Sequence, residues 1–239
     1  MQRSILRTII VLLVLASAGL AGRKWLALHP EHNPWAPLTL TEPAGWATAM
    51  KLQTLRGDVA QCRGFLERSG IKAESLAPTG EGQCLRDDRQ VLQGPQQLKV
   101  RLAPAGTQAT CAIDAGMALW LTHGIQPAAT RIFGSPVARI EHLGTNNCRR
   151  IGGGADGNWS EHATGNAIDV GAFVLADGRR ISVLKDWTSG GEKAAFLRAV
   201  RDTACESFST VLSPDYNAAH ADHLHLDQAQ RAGGWAACR

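Results

Sequence analysis

Histidines and an aspartate cluster in two short segments of the C-terminal half of this 239-residue chain. The first segment runs from Ser160 to Asp169 and contains His162, and the second reads His220-Ala221-Asp222-His223-Leu224-His225. Imidazole nitrogen and carboxylate oxygen are the ligand atoms of catalytic zinc, which takes three protein ligands and leaves a fourth position open. The two segments together therefore predict one zinc site.

The spacing within the segments supports this prediction. His223 and His225 are two residues apart, so on a strand both imidazoles point to the same face. A neighbouring strand that carries Asp169 would bring a carboxylate against that face, and Gly165 lets the chain curve between His162 and Asp169. The alternatives are a solvated strand face for the two histidines and a turn or cap carboxylate for Asp169. The other four histidines, His29, His32, His123 and His142, have no comparable setting.

Composition excludes several classes of protein. The net charge is only +4, and no block of Lys or Arg marks a nucleic-acid-binding surface. One Tyr and five Phe are too few for a platform on which nucleotide bases stack. Hydrophobic residues make up 44% of the chain, which is typical of one folded domain with a sizeable core.

The N-terminus indicates export. Arg3 and Arg7 precede an apolar run over 8–22, as in a secretory signal. The run is shorter than the roughly 20 residues of a membrane span, yet Trp25 and the segment 30–37 resemble a membrane-proximal linker, so an uncleaved anchor stays open. We expect a signal peptide or anchor over 1–22, a linker over 23–45 and a domain over 46–239. We expect the protein in the periplasm or cell envelope, attached to the inner membrane if the segment is retained.

The cysteines agree with export. All six lie beyond the apolar run and none forms a C-x-x-C pair, so three disulfides are expected in an oxidising compartment. Buried reduced thiols in a cytosolic protein would conflict with the N-terminus. Six cysteines allow fifteen connectivities, and proximity along the chain favours Cys62–Cys84, Cys111–Cys148 and Cys205–Cys238.

Hydrophobic periodicity predicts an α+β fold, a small antiparallel sheet with flanking helices. Helices are expected over 48–69, over 112–123 with Gly124 and Pro127 ending it, and over 192–208. Strands are expected over 98–102, 137–143, 167–175, 181–184, 211–212 and 223–226, with Asp177-Gly178 as a hairpin turn.

The first segment resembles the SxHxxGxAxD motif of the lysostaphin/D-Ala-D-Ala-metallopeptidase/hedgehog superfamily, and His223-Leu224-His225 is similar to its HxH motif. The resemblance implies that superfamily's metallopeptidase fold, here stabilised by disulfides. It also implies a zinc ion held by His162, Asp169 and His225. His223 would then assist catalysis. His220 matches an additional histidine of the penicillin-insensitive murein endopeptidases and would be a second catalytic residue.

Further segments resemble the bacterial extensin-like C-terminal domain family over nearly the whole domain. They are 126–129, 133–137, 160–162, 165–170 and 214–220. In this family an Arg often follows the cysteine that corresponds to Cys148, which makes Arg149 the candidate for binding a substrate carboxylate. The alternative for Arg149 is a solvated surface side chain. No Pro-rich repeat is present, so the family name does not imply a structural wall glycoprotein here.

These resemblances imply an exported zinc-dependent peptidase, expected to be a monomer, that cleaves peptidoglycan stem or cross-link peptides. Many D-Ala-D-Ala peptidases have a Glu base shortly before the last ligand, whereas this chain has Asn217, His220 and Asp222 there. A His-assisted mechanism is therefore expected. The rival is a non-catalytic envelope-binding module that keeps the zinc site. A purely structural zinc is disfavoured because structural sites usually have four protein ligands.

Overall fold

The computed structural model describes residues 2–93, 100–231 and 236–239. Its first element, α1, is a helix over Gln2–Leu28, whose most apolar 18-residue window has a mean hydropathy of 2.2 and is not buried. At 1.5 Å per residue the helix is about 40 Å long, which exceeds the ~30 Å hydrocarbon core of a bilayer. By length and composition α1 therefore suggests a signal peptide or a membrane anchor.

Two helices follow where the sequence predicts one. They are α2 (Thr48–Gly57) and α3 (Val59–Arg68), and they are separated at Asp58. Asp58 has an extended backbone and its carboxylate accepts a hydrogen bond from the backbone N–H of Gln61, so it caps the start of α3. The prediction of a continuous helix over 48–69 was wrong because it overlooked this capping aspartate.

A long, bent helical segment forms the centre of the domain. Helix α4 (Cys111–Trp120) runs through one π-helical turn over Leu121–Ile125 into α5 (Gln126–Phe133). The predicted end at Gly124 and Pro127 was wrong. Pro127 lies in the first turn of α5, where a missing N–H is tolerated. Gly124 allows the helix to pack closely on Thr203, because a Cβ at this position would lie 2.3 Å from Thr203 Oγ1.

The larger sheet carries the second predicted motif. Within the described residues it has seven strands, with the order β10-β8-β9-β6-β5-β3 and with β7 also paired to β6. The strands are β3 (Arg101–Ala103), β5 (Val137–Gly144), β6 (Ala167–Leu175), β7 (Arg180–Ser182), β8 (Thr210–Leu212), β9 (Leu224–Asp227) and β10 (Ala237–Cys238). Pairing is antiparallel except at β3–β5 and β10–β8. The α+β class and the antiparallel character are as predicted, and residues 98 and 99 of the first predicted strand lie outside the described residues.

A smaller sheet and the remaining helices complete the domain. The described part of the chain pairs β1 (Ala73–Ser75), β2 (Gln90–Leu92) and β4 (Gln108–Ala109) antiparallel. The β6–β7 hairpin turns at 177–178 as predicted and leads to α6 (Val183–Asp186). The last helix, α7 (Gly191–Ala204), ends four residues before the predicted boundary. Helix α4 is buried all round, since it contributes to the core under the larger sheet and to a second core against α2 and α3.

All six cysteines, each within the described ranges, form disulfides. Cys205–Cys238 is paired as predicted. The other two predicted pairs are wrong: the bonds are Cys62–Cys111, which joins α3 to the start of α4, and Cys84–Cys148. These bonds span 49 and 64 residues of sequence, so proximity along the chain was a poor guide where packing brings distant elements together. Three disulfides agree with a location outside the cytoplasm.

Asp114 is a buried carboxyl group within α4. Burial raises its pKa to about 7, the Gln90 side chain opposes this by donating to Asp114 Oδ2 at 2.6 Å, and the charge of Asp88 adds to the rise. Among the described residues Gln90 Oε1 has no donor. Because burial favours the uncharged form, the neutral acid suits this site better than the carboxylate does.

Asp114 therefore predicts a pH-dependent stability. Its pKa in the native state lies above the 3.8 of an ordinary Asp, so the native state binds a proton that the unfolded state has already released. The free energy of unfolding therefore decreases as the pH rises from about 4 to about 7. Asp114→Asn, which mimics the neutral acid, should raise the free energy of unfolding at pH 8 by on the order of 2–4 kcal/mol and flatten this fall. Urea denaturation at pH 5 and pH 8 measures the effect. The exposed Asp156→Asn is the control, and equal stability of Asp114→Asn and wild type at pH 8 would contradict the prediction.

Candidate metal centre

Asp169 and His225 face each other across two neighbouring strands. Asp169 lies on β6 and pairs in register with His225 on β9. Their side chains point to the same face, with 2.9 Å between Asp169 Oδ1 and His225 Nδ1. The alternation of side chains along a strand thus places these two residues together, as the sequence predicts.

His162 reaches the same point from a loop. It lies in a 3₁₀ turn over Glu161–Ala163, where its own N–H donates to the Ser160 hydroxyl and so caps the turn. Gly165 follows with a φ of +76°, which turns the chain into β6. His162 Nε2 lies 3.1 Å from Asp169 Oδ1 and 3.2 Å from His225 Nδ1. One donor atom from each of the three residues lies within 4.8 Å of the other two.

The remaining nitrogen of each imidazole bonds to a group that can only accept a hydrogen bond. His162 Nδ1 is 3.2 Å from the backbone carbonyl of Thr145, and His225 Nε2 is 3.1 Å from Asp227 Oδ2. Both of these nitrogens must therefore carry the proton of the neutral ring. The lone pairs of His162 Nε2 and His225 Nδ1 are left facing each other and a carboxylate oxygen. This cluster of three acceptors requires a positive charge between them, either a proton or a metal ion.

The pKa values express the same requirement. Burial disfavours the His225 imidazolium, but hydrogen bonds to Asp169 and Asp227 outweigh burial and raise its pKa to about 9. Burial would raise the pKa of Asp169, but hydrogen bonds from His162 and His225 lower it well below its ordinary value. Two imidazoles and one carboxylate, each oriented by a further partner, fit a divalent metal ion such as zinc.

Asp227 is a functional candidate that the sequence analysis missed. Its buried carboxylate accepts from His225 Nε2 and from the Ala229 N–H at 3.0 Å. Burial acts to raise the pKa of Asp227, and hydrogen bonds from His225 and Thr210 overcome it and lower the value. The signal was present in the sequence, because Asp227 is two residues beyond His225 and so lies on the same face of β9.

His223 lies beside the three candidate ligands. It immediately precedes β9, and its Nε2 is 3.5 Å from Asp169 Oδ1. Its Nδ1 bonds to Asp222 Oδ1 at 2.7 Å, so Asp222 fixes the Nδ1–H tautomer and turns Nε2 toward the centre. The structure thus brings His223 to the site as predicted and gives it an orienting carboxylate.

His220 forms the next part of the rim. Its ring centre is 5.2 Å from that of His223, and its Nδ1 bonds to Asn217 Oδ1 at 2.7 Å. Burial and the neighbouring charges of His223, His225 and Arg149 lower its pKa to about 4, although Asp169 opposes the shift. His220 is therefore neutral at neutral pH. Tyr216 packs edge-on against it with 5.6 Å between ring centres.

Arg149 and Arg150 differ in their surroundings. The Arg150 guanidinium bonds to the Gly157 carbonyl and lies 4.6 Å from the centre of the Trp159 ring, so it stabilises the loop over 152–157. Arg149 is exposed, has no carboxylate partner among the described residues, and is close enough for its charge to act on His220. A free guanidinium near the rim suits an anionic ligand.

The remaining histidines lie away from the candidate metal centre, and Glu161, next to His162, is bonded to a neighbouring side chain. His142 is buried and its Nε2 bonds to the Thr107 hydroxyl at 2.8 Å. His123 bonds to the Leu40 carbonyl, and His29 and His32 stack with tryptophans near α1. The Glu161 carboxylate bonds to the Asn166 side chain at 2.6 Å.

The comparisons with known proteins agree with the family suggested by the motifs. A family model described as extensin-like protein C-terminus matches residues 60–239, which is most of the chain. The chain therefore belongs to the extensin-like C-terminal family. No curated protein and no solved structure matches it.

The hydrogen bond from His225 to Asp227 predicts a measurable effect on metal affinity. For zinc bound at this centre, Asp227→Asn should weaken binding by about 10–100-fold, because the anion that fixes the His225 ring is lost. Competition with a chromophoric chelator measures the affinity. Asp222→Asn is the matched control, since Asp222 orients His223 and touches none of the three ligands. Equal zinc affinity in Asp227→Asn and wild type would contradict the assignment.

Proposed function

We propose that this protein is an exported zinc-dependent peptidase that cleaves peptidoglycan stem or cross-link peptides. The observation that carries the proposal is the convergence of three acceptor atoms with a separately oriented histidine beside them. His162, Asp169 and His225 would hold the ion. A zinc ion bound there supplies polarisation of an amide carbonyl and a water-derived nucleophile at neutral pH.

The chain's own residues supply proton transfer and orientation. The Nε2 lone pair of His223 is free and faces the candidate metal centre. His223 can therefore accept a proton and return it to a departing amine. Asp222 holds the ring in that orientation and stabilises the imidazolium once it forms. His220, which is neutral, can bond to the reacting group without adding a repelling charge.

Arg149 would bind a carboxylate of the substrate. Its guanidinium is exposed and free of carboxylate partners among the described residues, and it lies on the His220 side of the centre. Peptidoglycan stem peptides carry free carboxylates, and they lie outside the cytoplasm, the location that α1 and the disulfides favour. Planar bidentate pairing with a carboxylate is the geometry that favours Arg over Lys.

One observation favours a second candidate, a non-catalytic module that binds peptidoglycan. Glu161, Asp222 and Asp227 are the carboxylates near the candidate ligands, and each is bonded to a neighbouring side chain. Within the described residues no unpaired carboxylate serves as a Glu-type base. The peptidase therefore depends on His223, and the two candidates differ in what the loss of this imidazole would do.

The test is digestion of purified sacculi by the full-length protein in detergent, followed by mass spectrometry of the released muropeptides. The peptidase predicts release that stops with a chelator, returns with zinc, and falls about 10²–10⁴-fold in His223→Ala with metal content unchanged. His123→Ala, an exposed histidine bonded only to the Leu40 carbonyl, is the control. Intact muropeptides from metal-loaded protein that still binds sacculi would favour the binding module and overturn the peptidase.

A further inference from the structure

Three tryptophans are exposed between the last turns of α1 and the start of α2. Trp25 is 45% exposed, Trp35 is 82% exposed and Trp46 is 61% exposed. Trp120 and Trp187, by contrast, are buried in the core of the domain. Large exposed aromatic side chains concentrated in one region are typical of an interaction surface.

Two of these tryptophans belong to one stack of rings. Trp25, in the last turns of α1, stacks on His29 at 4.5 Å and lies nearly parallel to His32 at 5.4 Å between ring centres. His32 in turn stacks on Trp46 at 5.9 Å. The stack runs from α1 to the start of α2, so it fixes the position of Trp46 relative to the end of α1.

Further contacts fix this part of the chain to the domain. The Ala47 N–H donates to the Glu31 carbonyl, and Lys51 Nζ donates to the Pro30 carbonyl at 2.7 Å. Lys51 also forms a buried ion pair with Glu42 at 2.5 Å. The backbone is close-packed at Gly45, where a Cβ would lie 2.3 Å from the Glu31 carbonyl oxygen. The predicted linker thus packs on the domain and does not form a flexible tether after α1.

We propose that Trp25, Trp35 and Trp46 form a docking face that lies in the headgroup layer of the membrane that α1 enters. Tryptophan favours this layer because its apolar ring and its N–H group match the two sides of the interface. Arg23 and Lys24, which are exposed at the end of α1, can extend to lipid phosphates. The face continues directly from α1, so a bilayer that holds α1 is the one occupant that reaches it.

The docking face requires α1 to be retained as an anchor, and it is independent of the metal centre. The domain would lie directly against the bilayer, with α2 next to the membrane, and would act on substrate close to the membrane surface. A domain on a flexible tether would instead reach farther from the membrane and sample many orientations.

The first test is fluorine NMR of the full-length protein with fluorine-labelled tryptophan in nanodiscs of phosphatidylethanolamine and phosphatidylglycerol. Resonances are assigned by single Trp→Phe variants. Lipid that is spin-labelled at the headgroup should abolish the signals of Trp25, Trp35 and Trp46 and leave that of Trp187. Retention of the Trp35 and Trp46 signals, with broadening by a water-soluble paramagnetic chelate instead, would overturn the proposal. So would an intact mass showing that protein isolated from cells has lost α1.

The second test removes the face and keeps the anchor. Trp35→Ala/Trp46→Ala replaces two exposed side chains, so the fold should persist, and unchanged Trp120 and Trp187 resonances check this. Hydrogen exchange over 33–47 should be slower in nanodiscs than in detergent micelles for the wild type, and this difference should be lost in the double variant. Leu184→Ala, which removes an exposed apolar side chain on α6, is the matched control. Equal protection in the double variant and the wild type would also overturn the docking face.

Discussion

The structure depends on three lone pairs that cannot share one small space without a positive charge. His162 Nε2, His225 Nδ1 and Asp169 Oδ1 lie about 3 Å from one another. Each ring already donates its N–H group outward, His162 to the Thr145 carbonyl and His225 to the Asp227 carboxylate. These protons are therefore not available to reduce the repulsion between the lone pairs. Proton-bearing nitrogens thus point outward and electron pairs point inward, which is the polarity that a cation site needs.

The register between β6 and β9 maintains this arrangement. A slip by one residue would turn Asp169 or His225 to the opposite face of the sheet, where the apolar core lies. Strand β6 is held on both sides, by β5 and by β9, so the register is strongly determined. The loop that carries His162 is secured separately, because the His162 carbonyl accepts from the Asn147 N–H and from the Asn146 side chain.

Burial separates the candidate ligands from the residues that would meet a substrate. His162 and His225 are buried, whereas Asp222, Tyr216 and Arg149 are exposed and His220 and His223 are partly exposed. A buried site strengthens the attraction between a cation and its anionic ligand. Groups that exchange protons with a substrate must be open to it. The segment between α1 and α2 is fixed to the domain, so it also sets the orientation of the domain relative to α1.

The sequence by itself determined the candidate ligand residues and most of the local elements. Residue types and spacing gave the candidate ligands, and two-residue alternation placed His223 and His225 on one face, because strand geometry is a local property. The tertiary structure decided what depends on distant partners: the Cys62–Cys111 and Cys84–Cys148 bonds, the continuation of α4 past Gly124 where it packs on Thr203, and the Thr145 contact that sets the His162 tautomer. These features arise where packing joins segments far apart in the chain, and local patterns carry no information about such pairings.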